Sequence, residues 1–340
     1  MQHEIKGDHM KTSRRQFIAY SAGSVGAIAL ARPFISRAKA AGPINVFMGT
    51  TLDFANVWIA KLNGFFEREG LPHVEIRLFP SGAAASDAFR TGEAQFLGCG
   101  DLPAVRMWKT IGSKYISPIS RDFNFNVMVV KSTIKTPADL KGKVIATQTA
   151  SANMFMVGLI NKKYGLKESD YKVVNMEPTD MVIALSQGSI DGFVWSSPFD
   201  EKAKEIAGDK VRVLLRGGDV NYPNSVALSV RKELIQSDQD TVQRFVRGLA
   251  TASDWCMDHK EEVNKIVGTH IGLPPQAKST ITHTNFRSTI DKSLYTYLFG
   301  LGKYMESRKL LDVPIDWKGY IDARFLRDVD ASRVEAMPSP

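Results

Sequence analysis

From Ile44 to about residue 230 the sequence alternates short apolar runs with stretches of helical periodicity, and few patterns restrict a fold so tightly. A strand that is followed by an amphipathic helix and a second strand has the chain length needed for a parallel crossover, so the pattern argues for βα units and a largely parallel sheet. Ile44–Gly49 is strand-like, and residues 55–66 place apolar side chains at Val57, Ile59, Ala60, Leu62, Phe65 and Phe66, an amphipathic helix stopped near Gly70. Val74–Phe79 alternates as a strand, Pro80-Ser81-Gly82 turns into a helix that Gly92 ends, and residues 94–99 form the next strand. Pro103 then sits well at the start of a further helix, where its missing N–H costs nothing.

A second set of units follows the apolar run 127–130. Thr136 and Pro137 mark a short capped helix, Val144–Thr147 a strand, and Asn153–Tyr164 a helix closed by Gly165. Strands are predicted over 171–176, 192–195, 211–215 and 226–230, with a helix over 180–187. Beyond residue 232 the periodicity is helical through 242–259, 262–268, 276–284 and 288–307, before a polar tail. The two sets share one order, which predicts two α/β domains of like design: 41–126 together with 226–340, and 127–225. The chain crosses between them near 126–131 and returns near 221–229, and paired crossings of this kind act as a hinge beside a cleft.

Residues 1–40 read as an export signal. A basic stretch carries Lys11, Arg14 and Arg15, an apolar run rich in Gly, Ser and Ala follows, and Ala38 and Ala40 supply small residues for cleavage after Ala40. The paired arginines match the signal of the exporter that carries folded proteins. The apolar run is shorter than the roughly 20 residues a membrane span requires. The leader predicts a periplasmic protein, soluble after cleavage; a monomer is expected.

Composition then narrows the function classes. The 340 residues carry 44 basic and 36 acidic side chains, but the leader holds seven of the former and two of the latter, leaving 37 against 34 and a formal charge of +3. No basic stripe with interleaved aromatics remains, so a nucleic-acid partner is not expected. Cys99 and Cys256 are too few for a disulfide framework or a zinc site; two separate buried thiols are expected, with a single bond between them as the alternative. No phosphate-binding Gly-Lys-Ser/Thr loop, metal-spaced cluster or haem motif is present, so no cofactor is expected.

Several stretches resemble one family. Phe65-Phe66-Glu67-Arg68-Glu69-Gly70-Leu71, the run from Ser81-Gly82 through Ala88, and Gly98-Cys99-Gly100-Asp101-Leu102-Pro103 are similar, in order and spacing, to segments of bacterial periplasmic solute-binding proteins. Lys135-Thr136-Pro137-Ala138-Asp139-Leu140-Lys141-Gly142 resembles their second-domain entry, and Gly188-Ser189-Ile190-Asp191-Gly192-Phe193-Val194-Trp195 their closing motif. The group in question is the sulfonate, taurine and nitrate binding proteins that serve ABC importers. The resemblance covers about residues 44–340 and implies a type II periplasmic-binding-protein fold, each domain a doubly wound sheet flanked by helices, with the ligand cleft between them. It also implies an inner-membrane permease and its ATPase as partners. Where relatives often carry Gly-Ser at the second-domain helix start, this chain has Thr149-Ala150-Ser151-Ala152-Asn153, which keeps the serine and loses the glycine.

In doubly wound domains ligands sit beyond the carboxyl ends of the strands. Five loops meet that description, at 50–54, 80–83, 100–102, 148–153 and 195–199, and the return crossing at 221–225 faces the same cleft. The candidate ligand residues drawn from them are Thr51, Phe54, Ser81, Gly82, Asp101, Ser151, Asn153, Trp195 and Asn224. Ser81-Gly82 and Ser151-Ala152-Asn153 each offer a helix N-terminus with hydroxyl donors, suited to a sulfonate or carboxylate, although each also serves as an ordinary cap. Arg121 is the candidate guanidinium, with a surface ion pair to Asp122 as its alternative. Phe54, Trp58, Phe125, Phe155, Trp195, Phe199 and Tyr222 gather at the same strand ends, as pocket or as core, and favour an organic tail over a bare inorganic anion.

A zwitterion such as taurine needs an acidic partner, for which Asp53, Asp101 and Asp180 are available. The predicted function is capture of a small organic anion, foremost an alkyl or aromatic sulfonate. Taurine, aromatic carboxylates and thiamine-pyrimidine or riboflavin-like ligands are alternatives. A desulfinase-like enzyme on the same fold is disfavoured, because no histidine falls in any of the five loops to activate Cys99 or a serine.

Overall fold

The computed structural model describes residues 42–149, 151–270 and 282–340. The export signal, the cleavage after Ala40 and most of the helix predicted over 276–284 lie outside the described residues; the described end of that stretch is not helical.

The strands are β1 (Ile44–Gly49), β2 (Val74–Phe79), β3 (Phe96–Gly100), β4 (Lys114–Asp122), β5 (Asn126–Lys131), β6 (Val144–Thr147), β7 (Lys172–Asn175), β8 (Gly192–Ser196), β9 (Val211–Arg216) and β10 (Asn224–Val230). Between them run α1 (Ala55–Leu62), α2 (Phe65–Arg68), α3 (Gly82–Phe89), α4 (Asp101–Ile111), α5 (Asn153–Tyr164), α6 (Pro178–Ser186) and α7 (Phe199–Ala207). After them come α8 (Lys232–Ser237), α9 (Gln239–Asp258), α10 (Lys260–His270), α11 (Lys292–Ser307), α12 (Trp317–Tyr320) and α13 (Arg324–Val329).

Two five-stranded sheets result, in the orders β2-β1-β3-β10-β4 and β7-β6-β8-β5-β9. In each sheet four strands share one direction and one is reversed: β10 pairs antiparallel with β3 and β4, and β5 with β8 and β9. The reversed strand is each time the one that arrives from the other sheet. It enters at the edge where its neighbours end, so it must run against them.

Strand periodicity sorts the core. Along β5, Val127 and Val129 join the cluster beneath α6 and α7, while Met128 and Val130 join the larger cluster on the opposite face. Both faces of the strand are covered, which is why it reads as a continuous apolar run.

Two expectations are corrected. The helix predicted over 55–66 is broken: α1 ends at Leu62, Gly64 takes φ 70°, and α2 restarts at Phe65, a left-handed backbone that glycine adopts without steric cost. The polar tail is not a tail. Tyr320, Phe325 and Leu326 are fully buried, α13 packs on α9, and Ile321 bridges to Tyr115 of β4.

The two crossings between the sheets, 123–125 and 217–223, are bonded to each other. Gly218 N–H donates to the Phe123 carbonyl at 2.6 Å, and within the return crossing Tyr222 N–H donates to the Gly217 carbonyl at 2.8 Å. No side chain fits at 217: a Cβ there would lie 2.5 Å from the Tyr222 carbonyl oxygen and 2.8 Å from that of Phe123. Its neighbour is different, because a Cβ on Gly218 meets nothing nearer than 3.6 Å. Gly217→Ala is therefore expected to lose about 1–3 kcal/mol of stability through overpacking, read as a lower urea midpoint, while Gly218→Ala stays within about 0.5 kcal/mol of the parent. Equal effects at the two positions would refute the steric account.

Candidate functional site

The ends of the strands in both sheets face each other across a cavity of about 60 Å³. From the first sheet come Thr51, Asp53 and Phe54 after β1, residues 81–83 at the start of α3, and Gly100 and Pro103 around the start of α4. The second sheet supplies Gln148 and residues 151–153 after β6, with Trp195 and Ser196 at the end of β8. Tyr222 lines it from the return crossing, and Asn126 and Asn224 from the starts of β5 and β10. All five predicted loops and the return crossing thus reach one cavity, and eight of the ten candidate residues line it: Thr51, Phe54, Ser81, Gly82, Ser151, Asn153, Trp195 and Asn224.

The helix starts differ in what they leave open. Ser81 caps α3, its hydroxyl accepting from Ala84 N–H at 3.2 Å and its carbonyl from Ala85 N–H at 3.0 Å, so the Gly82 and Ala83 N–H groups have no acceptor inside the helix. Gly82 is needed for the close approach to β3, since a Cβ there would lie 3.1 Å from that of Cys99. At α5 the Ser151 hydroxyl donates to the Gln148 carbonyl at 2.7 Å and accepts from Asn153 N–H at 3.2 Å, and the Ser151 carbonyl accepts from Met154 N–H at 3.2 Å. The α5 start is therefore more nearly self-satisfied, with Ala152 N–H outside that set.

Side chains join the two walls. Gln148 Nε2 donates to Ser81 Oγ at 2.9 Å across the cavity and to Glu177 Oε1 at 2.7 Å on its own side. Asn126 donates to the Asn153 side-chain oxygen. Three buried polar atoms of lining residues, Trp195 Nε1, Gln148 Oε1 and Asn126 Oδ1, have no hydrogen-bond partner among the described residues. Away from the cavity α11 lies on α5: the Tyr304 hydroxyl donates to the Met154 carbonyl at 3.1 Å, and a Cβ on Gly158 would sit 3.1 Å from the Tyr304 ring. Arg308 pairs with Glu168 beside that contact.

Among the described residues Asp53 is the one carboxylate lining the cavity. Burial pushes its carboxyl up to about 6, against the Thr51 hydroxyl and the Asn224 amide, which donates to Asp53 Oδ2 at 3.1 Å. Among the described residues no lysine, arginine or histidine lines the space.

Two candidates lie elsewhere. Asp101 is the first residue of α4, but its side chain is fully buried beneath the loop rather than in the cavity. Burial pushes its carboxyl up to about 8; Ser225 and the Arg121 charge pull the other way, yet neither closes a hydrogen bond on it. At neutral pH Asp101 is therefore mostly protonated. Arg121 forms a two-pronged ion pair with Asp291, at 2.9 Å and 2.5 Å, and not with Asp122. Burial pushes the Asp291 carboxyl up, but the Arg121 guanidinium, the Leu294 N–H and the Ser293 hydroxyl outweigh it and hold it at about 2. Since Asp291 is also the N-cap of α11, Arg121 anchors that helix.

Of the strand-end aromatics, Phe54, Trp195 and Tyr222 line the cavity, whereas Trp58 packs beside His270 with ring centres 5.5 Å apart. Gln148 and Asn126 were not among the candidates. Each is a polar residue at the cavity end of an otherwise apolar strand, and that position is the signal that marks them. Cys99 and Cys256 are buried and unpaired, and burial raises the Cys99 thiol well above its ordinary value, which leaves it a poor nucleophile. Among the described residues no group of three or more His, Cys, Asp or Glu is placed to hold a metal ion, and no helix is long and apolar enough to cross a membrane.

The taurine-binding periplasmic protein of Escherichia coli (strain K12) is 25% identical to this chain over 295 residues, which is 79% of the chain and 88% of that protein. Among solved structures, the periplasmic aliphatic sulphonate binding protein SsuA of Escherichia coli matches with a TM-score of 0.69 at 19% identity, covering 82% of this chain and 92% of its own. A ligand binding component of an ABC-type import system from Staphylococcus aureus, solved with zinc bound, matches at 0.74 and 17% identity, covering 85% of this chain and 99% of its own. The two sheets with a cleft between them are the fold of these structures, as the sequence predicted. A family model described as NMT1/THI5 like matches residues 51–263, well over half of the sequence, and the chain belongs to that family.

Proposed function

We propose that this chain is the periplasmic solute-binding component of an ABC importer, exported by its twin-arginine signal, and that it closes two domains (41–126 with 226–340, and 127–225) on a small organic anion. The ligand class is a sulfonate or a carboxylate, with alkyl or aromatic sulfonates foremost. A monomer hands its ligand to an inner-membrane permease driven by a separate ATPase. No bond is broken in this work.

One observation carries the reading: a helix start from each domain opens into the same cavity, and Gln148 to Ser81 joins the walls there. Backbone N–H groups at helix starts hold an anion through directed hydrogen bonds and the positive end of the helix dipole. The sulfonate-binding and taurine-binding proteins that resemble the chain support the same class. Phe54, Trp195 and Tyr222 give the cavity an apolar side suited to an organic group.

Asp53 favours a second reading, in which the anion also carries an amine, as taurine does. A carboxylate among the lining groups with no basic side chain beside it is poor company for a bare anion and a good partner for an ammonium.

Thermal-shift measurements on ethanesulfonate, benzenesulfonate, taurine, benzoate and a thiamine-type pyrimidine separate the ligand classes. A hundredfold excess over the dissociation constant stabilises by about 2.7 kcal/mol, and sulfonates are expected to produce that shift. If no organic anion moves the melting point, the proposal fails.

The pH profile of affinity separates the two readings, because Asp53 is mostly neutral below about 6 and charged above it. A plain sulfonate is repelled by the charged form, so its dissociation constant is expected to rise by up to about tenfold per pH unit above that value. An amine-bearing ligand needs the charged form and weakens by a similar factor per unit below it. Asp53→Asn flattens either profile; a parent profile that is already flat would show that Asp53 does not face the ligand.

A further inference from the structure

The cavity beneath the helix starts is small for a whole organic ligand. At about 60 Å³ it falls well below the roughly 300–1,000 Å³ usual for small-molecule sites. A second, open groove of about 790 Å³ lies next to it, between α5 and α11.

The partition between them is one residue thick. Along the return crossing, Asn221, which takes a left-handed backbone at φ 53°, and Pro223 face the groove, while Tyr222 and Asn224 face the cavity. On α5, Asn153 reaches the cavity, whereas Phe155 and Leu159, one turn apart, line the groove. Three rings close the remaining gap: Phe155 meets Tyr222 edge-on at 6.1 Å, Tyr222 meets Tyr297 at 6.0 Å, and Phe155 meets Tyr297 at 6.1 Å. Tyr222 and Tyr297 are more than nine-tenths buried and fixed in the core, but Phe155 is only half-buried. Opposite its ring α11 presents Gly300, where even an added Cβ would come no closer than 3.9 Å. Phe155 also packs on Tyr304 with ring centres 5.1 Å apart, and of the three rings in the partition it is the one left partly exposed.

We propose that the groove receives the apolar tail of a ligand whose anionic head occupies the cavity, with the Phe155 ring as the gate between them. Specificity then has two parts. Head chemistry is set by the helix starts, and tail length by the groove, whose walls Phe155, Leu159, Leu294 and Tyr297 are apolar. The polar end of the groove, where Arg121 is engaged by Asp291, lies off the tail's course and needs no charge from the ligand. The inference rests on the organic-anion reading above.

The test compares ethanesulfonate with octanesulfonate by calorimetric titration on the parent chain, on Thr296→Trp and on Phe155→Ala. Thr296 is exposed on α11 and lines the groove without reaching the cavity, so the tryptophan obstructs the groove and leaves the head site alone. Each methylene buried in the groove contributes about threefold to fourfold in affinity. The parent is therefore expected to bind octanesulfonate at least tenfold more tightly than ethanesulfonate. Thr296→Trp is expected to erase that advantage while holding ethanesulfonate within twofold, and Phe155→Ala to keep or increase it. Ethanesulfonate binding with no gain from the longer chain, or a gain that Thr296→Trp leaves untouched, overturns the gate and groove while the organic-anion reading stands. Failure of both sulfonates to bind the parent chain overturns the sulfonate reading and the groove with it.

Discussion

The hydrogen bond from Gly218 to the Phe123 carbonyl ties the two chain crossings into one narrow ribbon, and the rest of the architecture hangs from it. Because both crossings leave and enter at the same edge, each sheet receives one strand from the cavity side, and that strand has to run against its neighbours. Because the ribbon is only two segments wide, residues 221–224 of the return segment face opposite spaces in turn. The absence of a side chain at Gly217 is the condition for this closeness. A ribbon held apart by a methyl group would separate the two helix starts that now share a cavity.

What the sequence disclosed was local. Strand edges and the bounds of Asn153–Tyr164 were legible because glycines and caps punctuate them, and Gly165 in the left-handed region ends that helix as expected. Loops at strand ends were identifiable from topology alone, so most candidate residues came together. Failures occurred where a distant partner decides. Arg121 pairs with a residue 170 positions away, and no nearby spacing announces it. Asp101 was placed correctly on the chain but not in space, since the first residue of a helix can direct its side chain inward or outward and the sequence does not say which. The C-terminal helices, four and six residues long, are too short to display a period, although their aromatic residues complete the core of the first domain.

In the proposed function, the cavity manages a ligand's charge without opposite charge. Neutral donors and helix starts carry the burden there, while the nearby guanidinium is committed to the cap of α11 and the buried Asp101 carboxyl remains largely protonated. Such a site discriminates by the direction of its hydrogen bonds more than by net charge. Asp53 is the exception, and its environment is mixed: burial opposes its ionisation while Thr51 and Asn224 support it.

The contact of α11 on α5 lies outside the cavity, yet it bears on whatever the cavity holds. Tyr304 rests its hydroxyl on the Met154 carbonyl and its ring over Gly158, so parting α5 from α11 means breaking a contact that lies outside the cavity lining. In the proposed function, the strength of that contact sets the fraction of molecules already closed, and apparent affinity scales with this fraction for every ligand alike. Selectivity and avidity are then separate inheritances: one is written in the loops at the strand ends, and the other in a glycine and a tyrosine at the back. A lineage that needed to scavenge scarcer solute, or to release it more readily to its transporter, had a place to adjust without disturbing what it recognises.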